Sequence, residues 1–207
     1  MEFTSFMQGV MLGGGSSGGG SGSGYADDGL VFREINLLGM LQKNETFASV
    51  SFTNCTIEIC FSVSALLGYG GIIGRLFSFA GEVFLLSADS QVLGTGSDYG
   101  LQVFYGDEYN ATALIPINGL TFGADKHTYT ITQSGTRTNV YFDGVLVGGY
   151  DNLNGRTTMA SNYAYFVDPN FPLTGMWYDM RVYNRALSAD EIAANHAEDM
   201  RLYGSAA

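Results

Sequence analysis

Apolar residues recur from residue 25 onward in short runs, which are separated by clusters of Gly, Asn, Asp and Ser. Runs of this kind, rich in β-branched and aromatic side chains, are typical of strands. About a dozen short strands at this spacing favour two antiparallel sheets packed as a sandwich. The predicted strands are Leu30–Phe32, Phe47–Phe52, Thr56–Val63, Ile72–Phe79, Val83–Leu86, Leu101–Tyr105, Thr112–Ile117, Tyr129–Thr132, Arg137–Phe142 and Val145–Val147, followed by a strand over 176–183.

Two turn sequences separate the later strands. Residues 133–136 read Gln-Ser-Gly-Thr and precede the strand Arg137–Phe142, and Asp143-Gly144 follows that strand. A type I′ turn requires positive φ at both central residues, and Asp-Gly is one of the pairs that accept it. The sequence therefore predicts a tight hairpin at Asp143-Gly144.

The chain closes with a strand and a helix. Ser188 stands at the expected N-cap and Glu191 follows three residues later, the spacing of a capping box. Leu187 and Ile192 flank these residues at the N′ and N4 positions, where two apolar side chains form a hydrophobic staple. The pattern predicts a helix over residues 189–201, packed beside a strand that is covered on both faces.

Three stretches resemble motifs of one family. Residues 181–192 read R-V-Y-N-R-A-L-S-x-x-E-I, residues 139–147 contain Y-x-D-G, and residues 56–61 begin T-I-E, with Cys60 where the family has Trp. They look like the motifs of laminin-G-like, concanavalin A-like lectin/glucanase jelly rolls, and the likeness covers roughly residues 25 to 203. The resemblance implies an all-β, two-sheet antiparallel jelly-roll sandwich with a short C-terminal helix.

The first 24 residues differ in composition from the remainder. Residues 13–24 contain only Gly and Ser, which predicts a flexible linker with a reach on the order of 20 Å. Residues 1–12 carry apolar side chains at helical spacing, in a peptide too short to be a stable helix alone. The predicted organisation is an anchor peptide at 1–12, a linker at 13–24 and a jelly-roll domain at 25–207, although an arm that folds back on its own domain remains an alternative. The anchor residues are Phe3, Phe6, Met7, Val10 and Met11.

Charge and hydropathy argue against two classes of binding partner, nucleic acids and membranes. The chain has 9 Lys and Arg against 20 Asp and Glu, a net charge of −11. Such a surface repels phosphate backbones and anionic lipid, so we expect neither nucleic-acid nor membrane binding. No apolar stretch is long enough to span a bilayer. Glu2 and the short apolar run at 7–12 do not fit a signal peptide, which predicts assembly in a cytoplasm.

Cys55 and Cys60 are the only cysteines. On one strand their Cα atoms would lie about 16 Å apart, whereas a disulfide needs less than about 7 Å. We expect both thiols to be structural.

The sequence contains no catalytic pattern. Retaining glycosidases need two carboxylates about 5 Å apart, and the E-x-D-x-x-E pattern of the enzymes with this fold does not occur here. Glu58 lies on a predicted strand, but no acid follows at the next two positions. His127 and His196 stand outside any zinc-binding spacing, and no nucleophile elbow accompanies the serines. We expect a protein that is not an enzyme and requires no cofactor.

Two polar, aromatic segments are candidates for carbohydrate binding, because sugars bind to aromatic faces and to Asp and Asn side chains on loops. Ordinary polar loops remain the alternative for both. The candidate ligand-binding residues are Asp98, Tyr99, Tyr105, Asp107, Tyr109, Asn110, Asp151, Asn152 and Asn154. Calcium favours six to eight oxygen ligands, and some of them could come from Asp98, Asp107 and Glu108.

The first functional hypothesis is a non-enzymatic, virion-associated protein of a bacteriophage capsid, tail or fibre. Residues 1–24 would bind a capsid, tail or fibre protein, and the jelly roll would be displayed outward with glycans as its ligands. The closing motif, which resembles segments of bacteriophage structural proteins, supports this hypothesis. The alternatives are a stand-alone lectin module and an accessory module of a glycoside hydrolase. A homo-oligomer is compatible with each hypothesis, but no heptad repeat indicates one.

Overall fold

The computed structural model describes residues 24–37, 42–43, 54–64, 72–79, 82–87, 99–105, 111–117, 120–121, 123–151, 164–165 and 175–204. The predicted anchor peptide, all of the linker except Gly24, and the predicted strand Phe47–Phe52 lie outside these residues. The division of the chain into anchor, linker and jelly roll therefore stays a prediction.

Twelve strands and one helix occur in the described residues. They are β1 Leu30–Leu37, β2 Gln42–Lys43, β3 Asn54–Val63, β4 Ile72–Phe79, β5 Glu82–Ser87, β6 Tyr99–Tyr105, β7 Ala111–Ile117, β8 His127–Ser134, β9 Arg137–Phe142, β10 Val145–Asp151, β11 Ala164–Tyr165, β12 Gly175–Tyr183 and α1 Ala189–Tyr203. No helix in the described part of the chain has the length and apolarity needed to cross a membrane.

The strands form two six-stranded sheets, and this confirms the predicted sandwich class. The first sheet has the order β1-β12-β3-β8-β9-β10, and the second has the order β2-β11-β4-β5-β6-β7. Every described pair of neighbouring strands is antiparallel. Sequence analysis missed β2 and β11, because two residues are too few to show a periodicity.

The central strand of the first sheet, β3, is covered on both faces. Residues 55–63 are all buried. One face carries Ile57, Ile59 and Phe61, and the other carries Thr56, Glu58 and Cys60, because successive side chains point to opposite faces. Cys55 and Cys60 therefore lie on opposite faces, and no disulfide joins them.

Helix α1 covers the face of the first sheet that carries Glu58. Ser188 is its N-cap and forms the predicted capping box with Glu191. Leu187 and Ile192 pack together with Tyr183 in one buried cluster, which confirms the hydrophobic staple. The helix runs two residues past the predicted end and closes with a hydrogen bond from the Gly204 N–H to the Met200 carbonyl.

The hairpin between β9 and β10 also has the predicted geometry. Asp143 has φ 50° and Gly144 has φ 77°, as a type I′ turn requires. Gly144 lies against α1, since a Cβ built on it would be 3.2 Å from the Cβ of His196. The hairpin and the helix therefore pack directly against each other.

Candidate functional site

The interface between the first sheet and α1 contains a group of charged side chains. The strand registers pair Glu58 of β3 with Arg181 of β12 and with Thr130 of β8. On α1, Asn195 and Asp199 are four residues apart and therefore share one face of the helix. We call Glu58, Asp179, Arg181, Asn195 and Asp199 the interface cluster. All five residues are buried.

Arg181 is the centre of the interface cluster. Its Nε lies 3.1 Å from Glu58 Oε2, and its Nη1 and Nη2 donate to the two oxygens of Asp199 at 2.7 and 2.8 Å. Its Nη1 also lies 3.3 Å from Asp179 Oδ2. The bidentate contact is the strongest arrangement open to a guanidinium and a carboxylate. The side chains of all four residues are fully inaccessible to solvent. Water and dissolved salt therefore screen these ion pairs little.

Both oxygens of Glu58 accept further hydrogen bonds. Asn195 Nδ2 donates to Oε2 at 2.6 Å, and Thr130 Oγ1 donates to Oε1 at 3.2 Å. Burial raises the pKa of the Glu58 carboxyl, and the charge of Arg181 opposes that rise. A carboxyl that is buried and fully bonded in this way holds the helix on the sheet and has no free path to a substrate.

The chain segment after the linker covers the interface cluster. The phenol of Tyr25 donates to Asp199 Oδ1 at 2.7 Å, and its ring lies 4.1 Å from Cζ of Arg181 and 4.6 Å from Cζ of Arg33. The backbone N–H of Ala26 donates to Asn195 Oδ1 at 2.9 Å. Residues 24–26 therefore attach the start of the domain to α1.

The interface cluster adds acids that the sequence analysis did not connect with Glu58. No acid stands beside Glu58 on its own strand, as noted, but the fold brings Asp179 and Asp199 to the same arginine. These acids come from β12 and α1, more than a hundred positions along the chain. The only sequence signals for them are Arg181 within the closing motif and the i, i+4 spacing of Asn195 and Asp199.

A second polar group lies where β8 begins. His127 Nδ1 is 2.9 Å from Asp143 Oδ2, and its Nε2 accepts the backbone N–H of Thr121 at 3.1 Å. Because Nε2 is an acceptor, the ring proton is on Nδ1 and is donated to Asp143. The Thr121 hydroxyl also lies 2.9 Å from Nε2 and donates to Asp125. The histidine thus ties the segment before β8 to the β9–β10 hairpin.

His196 has a comparable role on α1, since its Nδ1 lies 3.0 Å from Thr128 Oγ1 of β8. Both histidines therefore make contacts between elements of the fold. In the described ranges, no group of three or more His, Cys, Asp and Glu side chains is arranged to hold a metal ion.

Few of the residues predicted to bind sugar or calcium can be compared with the structure. Tyr99 and Tyr105 are the first and last residues of β6, so their backbone positions are about 20 Å apart along the strand. Asp151 ends β10, is exposed and lies 3.6 Å from Arg137. The other candidates lie outside the described residues and stay predictions: Asp98, Asp107, Glu108, Tyr109, Asn110, Asn152 and Asn154.

Comparison with known proteins gives a family and a fold. The model of the concanavalin A-like lectin/glucanases superfamily matches residues 44–193. No curated protein sequence matches the chain.

Solved structures with a similar fold include a sialidase, a carbohydrate-binding module and a pentraxin. Trypanosoma rangeli sialidase is 16% identical with a TM-score of 0.55, over 86% of this chain and 32% of the sialidase. The CBM40 of the Ruminococcus gnavus IT-sialidase, bound to α2,3-sialyllactose, is 13% identical with a TM-score of 0.53, over 84% of this chain and 100% of that module. A SAP-like pentraxin from Limulus polyphemus is 13% identical with a TM-score of 0.51, over 77% of this chain and 73% of the pentraxin. At these identities the similarity shows a shared fold only. The chain spans a third or less of the length of the sialidases it matches.

Proposed function

The chain belongs to the concanavalin A-like lectin/glucanases superfamily, and we propose that it is a non-catalytic carbohydrate-binding module. One observation carries the proposal. The sandwich corresponds to the full length of a module that was solved with a bound sialylated sugar, but to only 32% of a whole sialidase. The matched part is therefore a complete binding-module fold and a minor part of an enzyme.

The chemistry of the described acids supports a non-catalytic role. Glu58, Asp179 and Asp199 converge, as the two acids of a glycosidase must. All three are ion-paired with Arg181 and have no solvent-accessible side-chain surface. A general acid needs contact with the glycosidic oxygen, and α1 and Tyr25 stand in the way of any such contact.

A glycan array tests the binding function with the full chain as the probe, in the presence and absence of calcium. We expect binding to at least one glycan class. The comparison with and without calcium tests the candidate calcium ligands Asp98, Asp107 and Glu108. If a calcium ion on these residues supports glycan binding, removal of calcium should weaken that binding. Absence of binding across bacterial, host and environmental glycans would overturn the proposal.

A reducing-sugar assay on the bound glycans separates binding from hydrolysis. We expect no product, and turnover would instead place the chain among the glycosidases.

The finer hypothesis is that the module is displayed from a larger assembly, such as a virion, by its first 24 residues. It rests on the composition of the anchor and linker, and the matched proteins give it no support. The contacts of residues 24–26 with α1 add one argument, because an arm that precedes these residues would meet the described fold beside the helix.

Deletion of residues 1–22 tests this hypothesis, because it retains the contacts of Gly24, Tyr25 and Ala26. The truncated chain should fold and keep its glycan binding but should no longer enter particles. Incorporation at the level of the full chain would refute attachment through this arm.

A further inference from the structure

Lys126 differs from the other cations of the molecule. Among the Lys and Arg residues whose side chains the structure describes, each arginine forms an ion pair with Asp or Glu. Lys126 forms no such pair with any acid that the structure describes. Its Nζ donates to the carbonyl of Ala124 and lies 5.3 Å from the ring centroid of Tyr178. In a chain with a net charge of −11, an ammonium that pairs with none of the described carboxylates calls for an explanation.

A β-bulge places Tyr178 beside this ammonium. The register of β12 against β3 shifts between Trp177 and Asp179, so Tyr178 has no partner on β3. Its hydroxyl is 3.3 Å from Ser62 Oγ. Bulges commonly redirect a side chain next to a functional site.

A second aromatic ring adjoins the first. Tyr203 at the end of α1 lies 5.7 Å from Tyr178 between ring centroids, with 33° between the ring planes. Its hydroxyl donates to Asp179 Oδ2 at 3.1 Å. Burial and the neighbouring Asp179 raise the pKa of Tyr203 to about 12, so the phenol remains a donor at neutral pH. Both rings are thus held by their hydroxyls while remaining half-exposed.

The backbone that carries Lys126 is also held in place. The N–H of Gly123 donates to the carbonyl of Val63 at 2.8 Å, and Thr121 is bonded to His127. The nearest acid in sequence, Asp125, accepts from the Thr121 hydroxyl. The segment before β8 therefore presents the ammonium in a defined position, which lowers the entropic cost of binding a ligand there.

We propose that Lys126, Tyr178 and Tyr203 form a binding surface for a carboxylate-bearing saccharide. We call these three residues the Lys126 surface. The inference rests on the carbohydrate-binding function proposed above and adds a ligand class and a location outside the two segments predicted from sequence. The sugar ring packs on an aromatic face, and its carboxylate accepts from the ammonium, which has three donors and uses one on Ala124.

The charge of the chain favours a single carboxylate over a dense polyanion. A net charge of −11 repels a polyphosphate at long range, where many charges act together. One carboxylate in direct contact with Lys126 gains a charge-assisted hydrogen bond at short range. A neutral sugar could use the two rings but would leave the ammonium without an anionic partner.

Calorimetric titration of the full chain tests the inference with matched sugars. The acidic probes are α2,3-sialyllactose and an oligogalacturonate, and their neutral counterparts are lactose and the methyl-esterified oligogalacturonate. We expect the chain to bind at least one acidic probe about tenfold or more tightly than its neutral counterpart, because a hydrogen bond to a charged group has that magnitude.

Three variants locate the effect. Lys126→Gln should lose about tenfold in affinity for the acidic probe, and Lys126→Arg should retain most of it because it keeps the charge. Arg137→Gln is the matched control: it removes the same charge from an exposed pair at the other end of β8–β9, about 20 Å away. Its affinity should equal that of the wild type. Circular dichroism of each variant verifies that the fold is intact.

The outcomes distinguish this inference from the function on which it rests. If the chain binds glycans but Lys126→Gln binds the acidic probes as well as the wild type does, the Lys126 surface is refuted and the binding function stands. The same conclusion follows if only neutral sugars bind. If neither the array nor the titrations detect any glycan, both proposals fail together.

Discussion

Replacement of Arg181 by Met should destabilise the fold strongly. The substitution removes the one guanidinium that contacts Glu58, Asp179 and Asp199, while Met retains much of the side-chain volume. The three carboxylates would then remain at the interface between the first sheet and α1 without their shared counter-charge. Breaking a buried ion pair by removing one partner has a cost of about 3–5 kcal/mol.

The other contacts of the acids set the expected value within that range. Asp179 keeps Arg33, with a closest contact of 2.6 Å, and Asp199 keeps the hydroxyls of Tyr25 and Thr128. Asp179 and Asp199 therefore lose only part of the favourable contacts that offset the burial of their charges. We expect a decrease of about 4 kcal/mol in the free energy of unfolding, a large share of the 5–15 kcal/mol of an ordinary domain.

Urea unfolding followed by circular dichroism measures this decrease. With a denaturant slope of about 2 kcal/mol/M, the midpoint should fall by about 2 M. Arg137→Met is the control, because its ion pair with Asp151 spans 3.6 Å between side chains that are 47% and 69% exposed, and such pairs contribute about 0–1 kcal/mol. If both variants lose equally little, the buried ion pairs do not hold the helix on the sheet, and the reasoning is wrong.

The pH dependence gives an independent check of the same reasoning. Burial raises the pKa of Glu58 above its ordinary value of 4.5, so the folded state binds a proton that the unfolded state has released. Stability due to this group therefore falls as pH rises from about 4.5 through the folded-state pKa. Loss of Arg181 raises that pKa further. The destabilisation of Arg181→Met relative to wild type should consequently be smaller at mildly acidic pH than at neutral pH, and a constant difference would contradict this account of Glu58.

Four further substitutions have defined expectations, all measured by urea unfolding. Ser188→Ala removes the N-cap of α1 and should lower the free energy of unfolding by about 1 kcal/mol; no change would mean that the staple alone positions the helix. Gly175→Ala places a Cβ 1.8 Å from the carbonyl oxygen of Ser62 and should prevent β12 from pairing normally. Gly135→Ala is its control, because the added Cβ meets no atom within 4 Å. This control should lower the free energy of unfolding by only about 1–2 kcal/mol, which is the cost of its positive φ. Tyr25→Phe deletes the hydroxyl that donates to a buried carboxylate and should lose about 1.5–3 kcal/mol, and wild-type stability would show that residues 24–26 are not a structural attachment.

Local signals predicted the parts of the fold that depend on local physics. The hairpin at Asp143-Gly144 follows from the φ angles that these two residues accept, and the start of α1 follows from the hydrogen bonds between Ser188 and Glu191. The alternation of residues 176–183 predicted a strand covered on both faces, and residues 179–183 of β12 are all buried. Strand ends were less predictable: β1 continues to Leu37 because β12 pairs with it along that length.

The candidate sites were much less predictable, because they are made by side chains from distant segments. Glu58 looked isolated along its own strand, and its partner acids became visible only when β12 and α1 were in place. Tyr99 and Tyr105 belong to one candidate segment of the sequence, and their backbone positions lie at the two ends of β6. Sequence proximity is a poor guide to a site on a strand, where each residue adds about 3.3 Å.

The amino-acid sequence by itself determined that this chain is an antiparallel sandwich with a capped terminal helix, because turns, caps and alternation act over a few residues. Only the tertiary structure decided which charges meet. Arg181 is surrounded by acids and is fully buried, while Lys126 lies beside the ring of Tyr178 and pairs with none of the described carboxylates. That difference arises from strand register, from one β-bulge in β12 and from the docking of α1, each of which is set by packing between segments far apart in the chain.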